Sequence, residues 1–442
     1  MQEKLRLKKE LGLTEAVLCG IGIILGAGIY VIIGQTAGLA GNALWMSCLV
    51  ATIVVAFTGL SYAELASRYP KAGAEFEYTK NSFGKRIGFI VGWLTIIAGI
   101  VSASAVAISF GENLFKLTHV LSFPEIPVIF SAGILILLCS FIIFLGIKQS
   151  ARIAIVFTLI EAFGLLLIIF IGIPFIGSVD LMELPPTGLT GILTGATLIF
   201  FAFIGFEEMV RMSEETKNAE TIIPKALILA IAITSVLYVL VAISAVSVVP
   251  WQELSTSKAP LSLVAEKVFG AEGGLILLII VLFSTSNTVL LILLAASRII
   301  YGIGEDKEFP HIIAKIHPKT HTPYIAIILV MICAIVFSFF DLTFLVKTTD
   351  FVLFMIFIVV NAAVIAVRIK EPKIKSKFMI PLSIKNIPVT AVLGILSCIA
   401  LISHLNLEII GLSLLLTLIG IIFYEISHKM HKQKLLNWFK KN

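Results

Sequence analysis

Two stretches of the sequence interrupt apolar runs in a way that would expose polar backbone groups. The first, GIGIILGAGIYVIIG at residues 20–34, carries five glycines in fifteen residues, and each glycine weakens a helix by about 1 kcal/mol relative to alanine. The second, TGILTGATLIFFAFIGFEEMVRMSEE at residues 190–215, is broken by the polar GFEE that begins at Gly205. In lipid, backbone groups that lose their helix partners are costly. The breaks therefore predict a cavity whose ligand satisfies the freed groups.

The two breaks would offer groups of opposite character. At Gly26 to Gly28 a new half-helix begins, and its free N–H groups and partial positive charge would attract an anion. At Phe201 to Ile204 a half-helix ends, and its free carbonyls would accept hydrogen bonds from a cation. A ligand with a carboxylate at one end and an ammonium at the other is an amino acid. Glycines at small-xxx-small spacing also allow close helix packing, so it is the pairing of two breaks that favours a binding site.

One ionisable residue, Glu161, lies near the centre of another apolar run, ARIAIVFTLIEAFGLLLII. A charge at the bilayer centre costs at least about 2.5–3.5 kcal/mol, so such a residue is functional by default. Because desolvation disfavours the charged form, the carboxyl could take up and release a proton near neutral pH. It could equally make a structural pair or bind sodium. The other sodium ligands would be the carbonyls of Gly22 and Leu25 and the hydroxyls of Ser284 or Thr285.

The composition places these residues in a membrane. Of the 442 residues, 59% are hydrophobic and only 14% are charged, with a mean hydropathy of +1.07, whereas soluble domains carry about 25% charged residues. Apolar runs long enough to span a bilayer recur along the whole chain. Twelve spans are predicted, at 13–37, 43–67, 87–114, 127–146, 150–175, 190–212, 226–248, 273–302, 323–340, 342–367, 388–404 and 408–426. The first is too long for a cleavable secretion signal.

The distribution of basic residues predicts the orientation, because lysine and arginine collect on the cytoplasmic side. If the N-terminus is inside, 29 of the 33 basic residues lie on the cytoplasmic side of the membrane. The four exceptions are Lys116, Lys258 and Lys267, which would face outward, and Lys347, which lies within a span. The chain is therefore expected in the cell membrane with both termini in the cytoplasm. Short basic loops beside anionic headgroups account for the net charge of +6, so no nucleic-acid partner is expected.

The sequence offers little for catalysis or for a metal. The five cysteines lie singly in apolar spans, without a C-x-x-C pair or metal-ligand spacing. H-E-x-x-H and nucleophile-elbow motifs are absent. A receptor would predict a large extramembrane domain and a channel a polar stripe, and neither is evident. No enzyme activity, metal or cofactor is expected.

The spacing of the breaks predicts an internal repeat. Span 6 follows span 1 by five spans, so the two enter the membrane from opposite sides, as in transporters built from inverted repeats. The expected fold is all-α, with 12 transmembrane helices, a 5+5 inverted repeat and discontinuous helices 1 and 6. The expected divisions are a cytoplasmic tail at 1–12, repeats at 13–176 and 190–368, helices 11 and 12 at 388–427, and a basic tail at 428–442.

Four motifs, in order, resemble the amino acid–polyamine–organocation (APC) superfamily of permeases. GIILGAGIYVIIG is similar to its first-helix motif, and FFAFIGFEEMVRMSEETKNAETIIPKA to its sixth-helix signature with the following loop. STSNTVLLILLAASRIIYGIGEDKEFP resembles the eighth-helix motif, and HPKTHTPYIAI the entry to the ninth helix. The resemblance runs from about residue 10 to residue 370 and implies a leucine-transporter-type fold.

The resemblance also implies a substrate site. Carried over by position, the carboxylate end of the pocket would be lined by Ile24, Gly26, Ala27 and Gly28. The α-amine would be received by the carbonyls of Phe201, Ala202 and Ile204, with Phe201 as an aromatic lid. No acidic residue is obvious beside the side-chain pocket, which favours neutral amino acids.

Acidic residues bear on coupling and gating. At the position of Glu161, proton-coupled relatives have a lysine where sodium-coupled ones bind the ion, so this sequence departs from that pattern. Relatives have an acid at the position of Glu207, where it would gate the pathway or sense protons; alternatively it caps the second half-helix. Near the cytoplasmic end, Glu214 and Glu215 would help to hold the inward gate shut by pairing with basic residues such as Arg68 or Arg298.

We expect a secondary active transporter that moves amino acids across the cell membrane by alternating access. Proton-coupled symport is the first expectation. Exchange of amino acids or polyamines without a coupling ion is the alternative, sodium coupling is less favoured, and a channel or receptor is least favoured.

Overall fold

The structure, a computed structural model, describes residues 6–257, 259–306, 310–372 and 376–402, with residues 411, 415, 417–422 and 424–425; the side chains of residues 27, 31, 343 and 347 are outside this description. Within these residues the chain is almost entirely helical. The helices are α1 (Leu13–Ala40), α2 (Leu44–Arg68), α3 (Ala74–Phe83), α4 (Lys85–Val120), α5 (Val128–Leu145), α6 (Ile147–Gly172), α7 (Leu189–Ala202), α8 (Ala219–Val248), α9 (Trp251–Thr256), α10 (Pro260–Phe269), α11 (Ala271–Glu305), α12 (Tyr324–Phe337), α13 (Leu342–Lys370) and α14 (Val389–Ile402).

Short elements complete the described chain. The strands β1 (Ser383–Ile384) and β2 (Ile387–Pro388) form a small antiparallel hairpin. The 3-10 helices cover Gly41–Ala43, Ile173–Phe175, Phe206–Glu215 and His311–Ala314.

Each of the first eleven predicted spans coincides with a helical segment. Nine stretches of the described residues are long and apolar enough to cross a membrane, and Tyr324–Phe337 and Val389–Ile402 are shorter apolar helices. The predicted twelfth span, 408–426, lies only partly within the described residues, and those that are described there, such as 417–422, are helical. Large apolar side chains such as Phe141, Phe163 and Phe170 are exposed on the bundle surface, as expected where lipid tails take the place of water.

Two of the crossing segments are broken where the sequence predicts. In α1, Gly26 has φ +28° and ψ −176°, a backbone conformation that glycine adopts without the strain of a side chain. α7 ends at Ala202, and Gly205, with φ +121°, leads the chain into the 3-10 helix Phe206–Glu215. Both predicted breaks are confirmed.

The broken helices lie at the centre of the bundle. α1 packs against α6, α7, α8 and α11, and α4 packs against α11 and α13. We call the end of the bundle where α1 begins and α2 ends the inner end, and the opposite one the outer end. At the inner end α3 packs against α4 and α13, with Glu75, Phe76 and Tyr78 buried. At the outer end α9 and α10 pack against α1.

Candidate substrate site between two broken helices

The two breaks contact each other, backbone against backbone. A Cβ atom added at Gly28 would lie 3.1 Å from the Cα atom of Ala202, and one added at Gly205 would lie 2.9 Å from the carbonyl oxygen of Ile23. These neighbours are main-chain atoms, which cannot turn aside as a flexible side chain can. The middle of α1 and the end of α7 therefore form one junction that depends on glycine.

Tyr238 of α8 joins the two breaks. Its hydroxyl oxygen lies 2.7 Å from the carbonyl oxygen of Ile24 and 2.9 Å from that of Ala202, and the side chain is fully buried. A phenol has one proton to donate, so it fully satisfies only one of these carbonyls at a time. The other carbonyl is then available to a donor such as an ammonium group. The ring of Phe203 packs on Tyr238 with the ring centres 4.9 Å apart.

Tyr238 was missed by sequence reasoning. The available signal was a tyrosine in the apolar run at 226–248, since a buried tyrosine hydroxyl usually finds a hydrogen-bond partner. The sequence does not show that the partners are carbonyls of two other segments.

The predicted substrate residues of α1 lie at the junction. Ile24 presents its carbonyl to Tyr238, Gly26 forms the bend and Gly28 forms the contact with α7. The side chain of Ala27 is outside the description. That these residues bind a carboxylate stays a prediction.

The predicted residues of α7 lie beside them. The carbonyl of Phe201 accepts a hydrogen bond from the amide of Ile204 at 3.1 Å, and that of Ala202 faces Tyr238. A carbonyl oxygen has two lone pairs, so the carbonyl of Ala202 can accept a second hydrogen bond, whereas that of Phe201 also faces the amide of Phe203. The side chains of Phe201 and Ile204 are half-buried. The roles of amine acceptor and aromatic lid stay predictions.

Glu161 lies in a small polar group against α1. Its side chain is fully buried, and Oε2 lies 3.4 Å from the side-chain nitrogen of Asn287, which donates to the Thr158 hydroxyl at 3.0 Å. Glu161 Oε1 and the Ser284 hydroxyl have no hydrogen-bond partner among the described residues. A Cβ atom added at Gly22 would lie within 2.5 Å of Thr158 and Asn287 side-chain atoms. Gly22 therefore lines this group.

The other two predicted sodium ligands make contacts elsewhere. The Thr285 hydroxyl donates to the carbonyl of Val281 at 2.9 Å, and the Leu25 carbonyl lies 3.4 Å from the Tyr238 hydroxyl. The Thr285 hydroxyl oxygen can still accept a bond, and a sodium site with these ligands stays a prediction.

Glu207 directly follows the second break. One carboxylate oxygen, Oε2, accepts a hydrogen bond from the amide of Gly205 at 2.9 Å. The other, Oε1, is buried without a partner in the described part of the chain. The first contact satisfies the amide of Gly205 at the start of the 3-10 helix, which is a capping role, and the free oxygen leaves the gating role open as a prediction.

The inner end is closed by buried ion pairs. Arg298 of α11 donates to Glu215 through Nη2 at 2.6 Å and through Nε at 2.8 Å, and both side chains are almost fully buried. The predicted pairing of Glu215 with Arg298 is confirmed. Glu214 also has a basic partner in a loop, because Lys71 Nζ lies 3.9 Å from its Oε1, and it accepts a hydrogen bond from the amide of Ala72. Arg68 instead lies 3.6 Å from Glu64.

Two more buried arginines at the inner end were not predicted. Arg211, in the 3-10 helix after the second break, donates to both oxygens of Glu75 at 3.0 and 3.2 Å and also to Glu208. Arg368 of α13 donates to both oxygens of Glu64 on α2. Together with Arg298–Glu215, the Arg211–Glu75 pair connects the 3-10 helix Phe206–Glu215 to α3 and α11, and the Arg368 pair connects α13 to α2.

A cavity of about 740 Å³ opens at the inner end. Charged residues of both signs line it, among them Lys71, Glu77, Lys80, Glu214 and Asp306. The residues of the junction between the breaks are not in its wall. The buried pairs Arg298–Glu215, Arg211–Glu75 and Arg368–Glu64 are not in its wall either.

The family model for amino acid permeases matches residues 11–424 of the chain. The protein belongs to this family. It is similar to the branched-chain amino acid permease BcaP of Bacillus subtilis, at 29% identity over 444 residues, covering 97% of this chain and 94% of that protein. The methylthioribose transporter of Bacillus subtilis is 29% identical over 390 residues, covering 85% of this chain and 84% of that protein.

A plant protein is also similar. The vacuolar cationic amino acid transporter 4 of Arabidopsis thaliana is 29% identical over 395 residues, covering 83% of this chain and 64% of that protein. The resemblance to APC permeases read from four motifs is thereby confirmed. The chain is a multi-pass membrane transporter of the amino acid permease family and not an enzyme.

Proposed function

We propose that this protein transports amino acids across the cell membrane by alternating access, with the substrate bound at the junction of the two breaks. The observation that carries the proposal is the contact of two broken segments whose carbonyls share one tyrosine proton. The ammonium of an amino acid would take the second lone pairs of these carbonyls, and its carboxylate would face the half-helix that starts after Gly26.

The proposed fold has twelve membrane-spanning helices, with two inverted five-helix repeats and both termini in the cytoplasm. Breaks at Gly26 and Gly205, in the first and sixth predicted spans, support it. In this orientation the inner end faces the cytoplasm. The pair Arg298–Glu215 would then be part of a closed cytoplasmic gate, which must open for release.

Proton-coupled symport is the proposed mode, with Glu161 as the coupling site. The buried carboxyl, with an oxygen that lacks a partner in the described residues, is suited to exchange a proton. The same group, with Gly22 beside it, could instead hold sodium, assisted by Leu25, Ser284 or Thr285. Exchange without a coupling ion is the remaining alternative, in which Glu161 would serve only as a partner of Asn287.

The names of the relatives suggest which compounds should be tested as substrates. One is named for branched-chain amino acids and another for cationic amino acids, while the methylthioribose transporter shows that relatives of this chain are not confined by name to amino acids. A panel should therefore include leucine, lysine, arginine and methylthioribose.

The test is uptake of each radiolabelled compound into proteoliposomes. Each is measured with an inward proton gradient, with an inward sodium gradient, or with unlabelled substrate inside. We expect amino acid uptake driven by acid outside and lost in Glu161→Gln. The matched control is Glu272→Gln, which removes an exposed carboxylate at the start of α11 and should leave uptake unchanged.

Other outcomes would overturn parts of the proposal. Uptake that needs only internal substrate and survives Glu161→Gln would establish an exchanger. Uptake driven by sodium and lost in Ser284→Ala would establish sodium coupling. Uptake of methylthioribose without any amino acid would exclude the proposed substrate class.

A further inference from the structure

Asp350 is a carboxylate inside a membrane-spanning helix that the proposed coupling does not use. It lies in α13, within the stretch Phe344–Lys370 that can cross a membrane. Oδ1 is buried and has no hydrogen-bond partner among the described residues, while part of the residue remains accessible. Ionisable residues at such positions are rare and mark pathways or binding sites by default.

The packing of α13 shows which way this residue faces. Phe354, four residues later, packs on Phe200 of α7 with ring centres 5.5 Å apart, and Phe357 packs on Phe200 at 6.4 Å. Residues four apart lie on the same face of a helix. Asp350 therefore lies on the face of α13 turned toward α7, one turn closer to the outer end than Phe354.

This face adjoins the proposed substrate site. Phe200 directly precedes Phe201 and Ala202, whose carbonyls lie at the second break. An amino acid held there by its ammonium and carboxylate would direct its side chain away from the backbone junction, toward neighbouring helices. Asp350 stands about one helical turn, roughly 5.4 Å, beyond Phe354 in that region.

We propose that Asp350 is a specificity residue that binds a positive group on the substrate side chain, so that the protein accepts lysine, arginine or ornithine. A carboxylate oxygen such as Asp350 Oδ1, which has no partner among the described residues, pairs well with an ammonium or guanidinium group in a site shielded from water. The inference rests on the proposed function. It also revises the sequence-based preference for neutral amino acids, which assumed that no acid lies beside the side-chain pocket.

The experiment compares lysine and leucine uptake in proteoliposomes for four proteins: wild type, Asp350→Asn, Asp350→Glu and Asp341→Asn. Asp341 is the matched control, because it caps the same helix by accepting from the Phe344 amide, and asparagine caps equally well. We expect Asp350→Asn to raise the KM for lysine at least about tenfold, as the loss of a charge-assisted hydrogen bond predicts. The KM for leucine should stay within about twofold, and Asp350→Glu should retain part of the lysine preference.

Four results would overturn the inference. Equal loss of lysine and leucine uptake would make Asp350 a gating or folding residue, and unchanged kinetics for both would place it outside the site. Lys347 precedes Asp350 by three residues, so Lys347→Gln is tested as well; the same loss of lysine uptake in that variant would indicate a pair within α13. Wild-type uptake of leucine but not lysine would overturn this inference alone, whereas failure to transport any amino acid would overturn the proposed function.

Discussion

The inner end and the centre of the bundle both bury ionisable side chains, but the two regions differ in how many of these side chains have hydrogen-bond partners. At the inner end Arg211, Arg298 and Arg368 each donate at least two hydrogen bonds to glutamates. At the centre, carboxylate oxygens of Glu161 and Glu207 are buried without partners in the described chain. Saturated pairs stabilise one closed arrangement, whereas unsatisfied groups are available to a ligand or proton.

The difference has a geometric origin. Each paired arginine has a glutamate partner that lies on a different element at the inner end. The planar guanidinium group can donate to both oxygens of a carboxylate. The unsatisfied oxygens of Glu161 and Glu207 lie beside broken helices, where the neighbouring Gly22 and Gly205 have no side chain that could donate a hydrogen bond. Arg68 is an exception at the inner end, because two of its nitrogens have no partner among the described residues.

Removal of the saturated pair Arg298–Glu215 should give the largest effect. Arg298→Met leaves Glu215 buried and uncompensated, which should lower the free energy of unfolding by about 3–5 kcal/mol. The measurement is denaturant titration in detergent micelles. The matched control is Lys377→Met, which breaks the exposed pair with Glu220 and should cost less than about 1 kcal/mol. A comparable loss in both variants would contradict the distinction between the two regions.

A side chain at the second break should have the next largest effect. In Gly205→Ala the alanine must adopt φ +121°, and its Cβ atom would lie 2.9 Å from the carbonyl oxygen of Ile23. We therefore expect the free energy of unfolding to fall by about 1–3 kcal/mol and uptake to be lost. The control is Gly133→Ala in α5, where an added Cβ meets nothing within 4 Å and should be neutral or slightly stabilising. If Gly205→Ala takes up substrate as fast as the wild type, the transporter tolerates a wider separation of the two broken segments.

Removal of the Tyr238 hydroxyl tests whether the backbone carbonyls at the centre of the bundle are available to a ligand. Tyr238→Phe leaves the carbonyls of Ile24 and Ala202 without their donor and should destabilise the empty protein by about 1–3 kcal/mol. A substrate ammonium would supply the missing donor. We therefore expect the rise in unfolding temperature on adding substrate to be larger in the variant than in wild type. A smaller rise would mean that the hydroxyl contacts the substrate itself.

A partly exposed pair at the inner end should give the smallest effect. Burial lowers the pKa of Lys80, but its hydrogen bonds to Asp306 and Glu77 outweigh this and raise the pKa above its usual value. The stability that this provides is present below the unfolded pKa of about 10.4 and is lost as pH rises through the folded value. Lys80→Met should cost about 0.5–1 kcal/mol at pH 8. The difference from wild type should shrink above pH 11 in the same denaturant titration.

Local sequence predicted the breaks well because glycine and polar residues act on the backbone where they stand. Gly26 and Gly205 lie at the two predicted breaks, and both have positive φ values. The pairing of Glu215 with Arg298 was also anticipated from their places near the predicted cytoplasmic end. By contrast, nothing in the sequence indicated that Arg211 reaches Glu75, because the two lie on segments whose contact depends on helix packing.

The sequence by itself determined that this is a membrane transporter of the amino acid permease family, with helices broken near Gly26 and Gly205. Composition, glycine placement and motif order are local properties that survive without knowledge of packing. Only the tertiary structure decided that Tyr238 bridges the breaks and that the face of α13 with Phe354 and Asp350 turns toward Phe200. Helices that are apolar all round carry no periodic pattern to show which face turns inward, so the partners of their few polar residues emerge only when the helices pack.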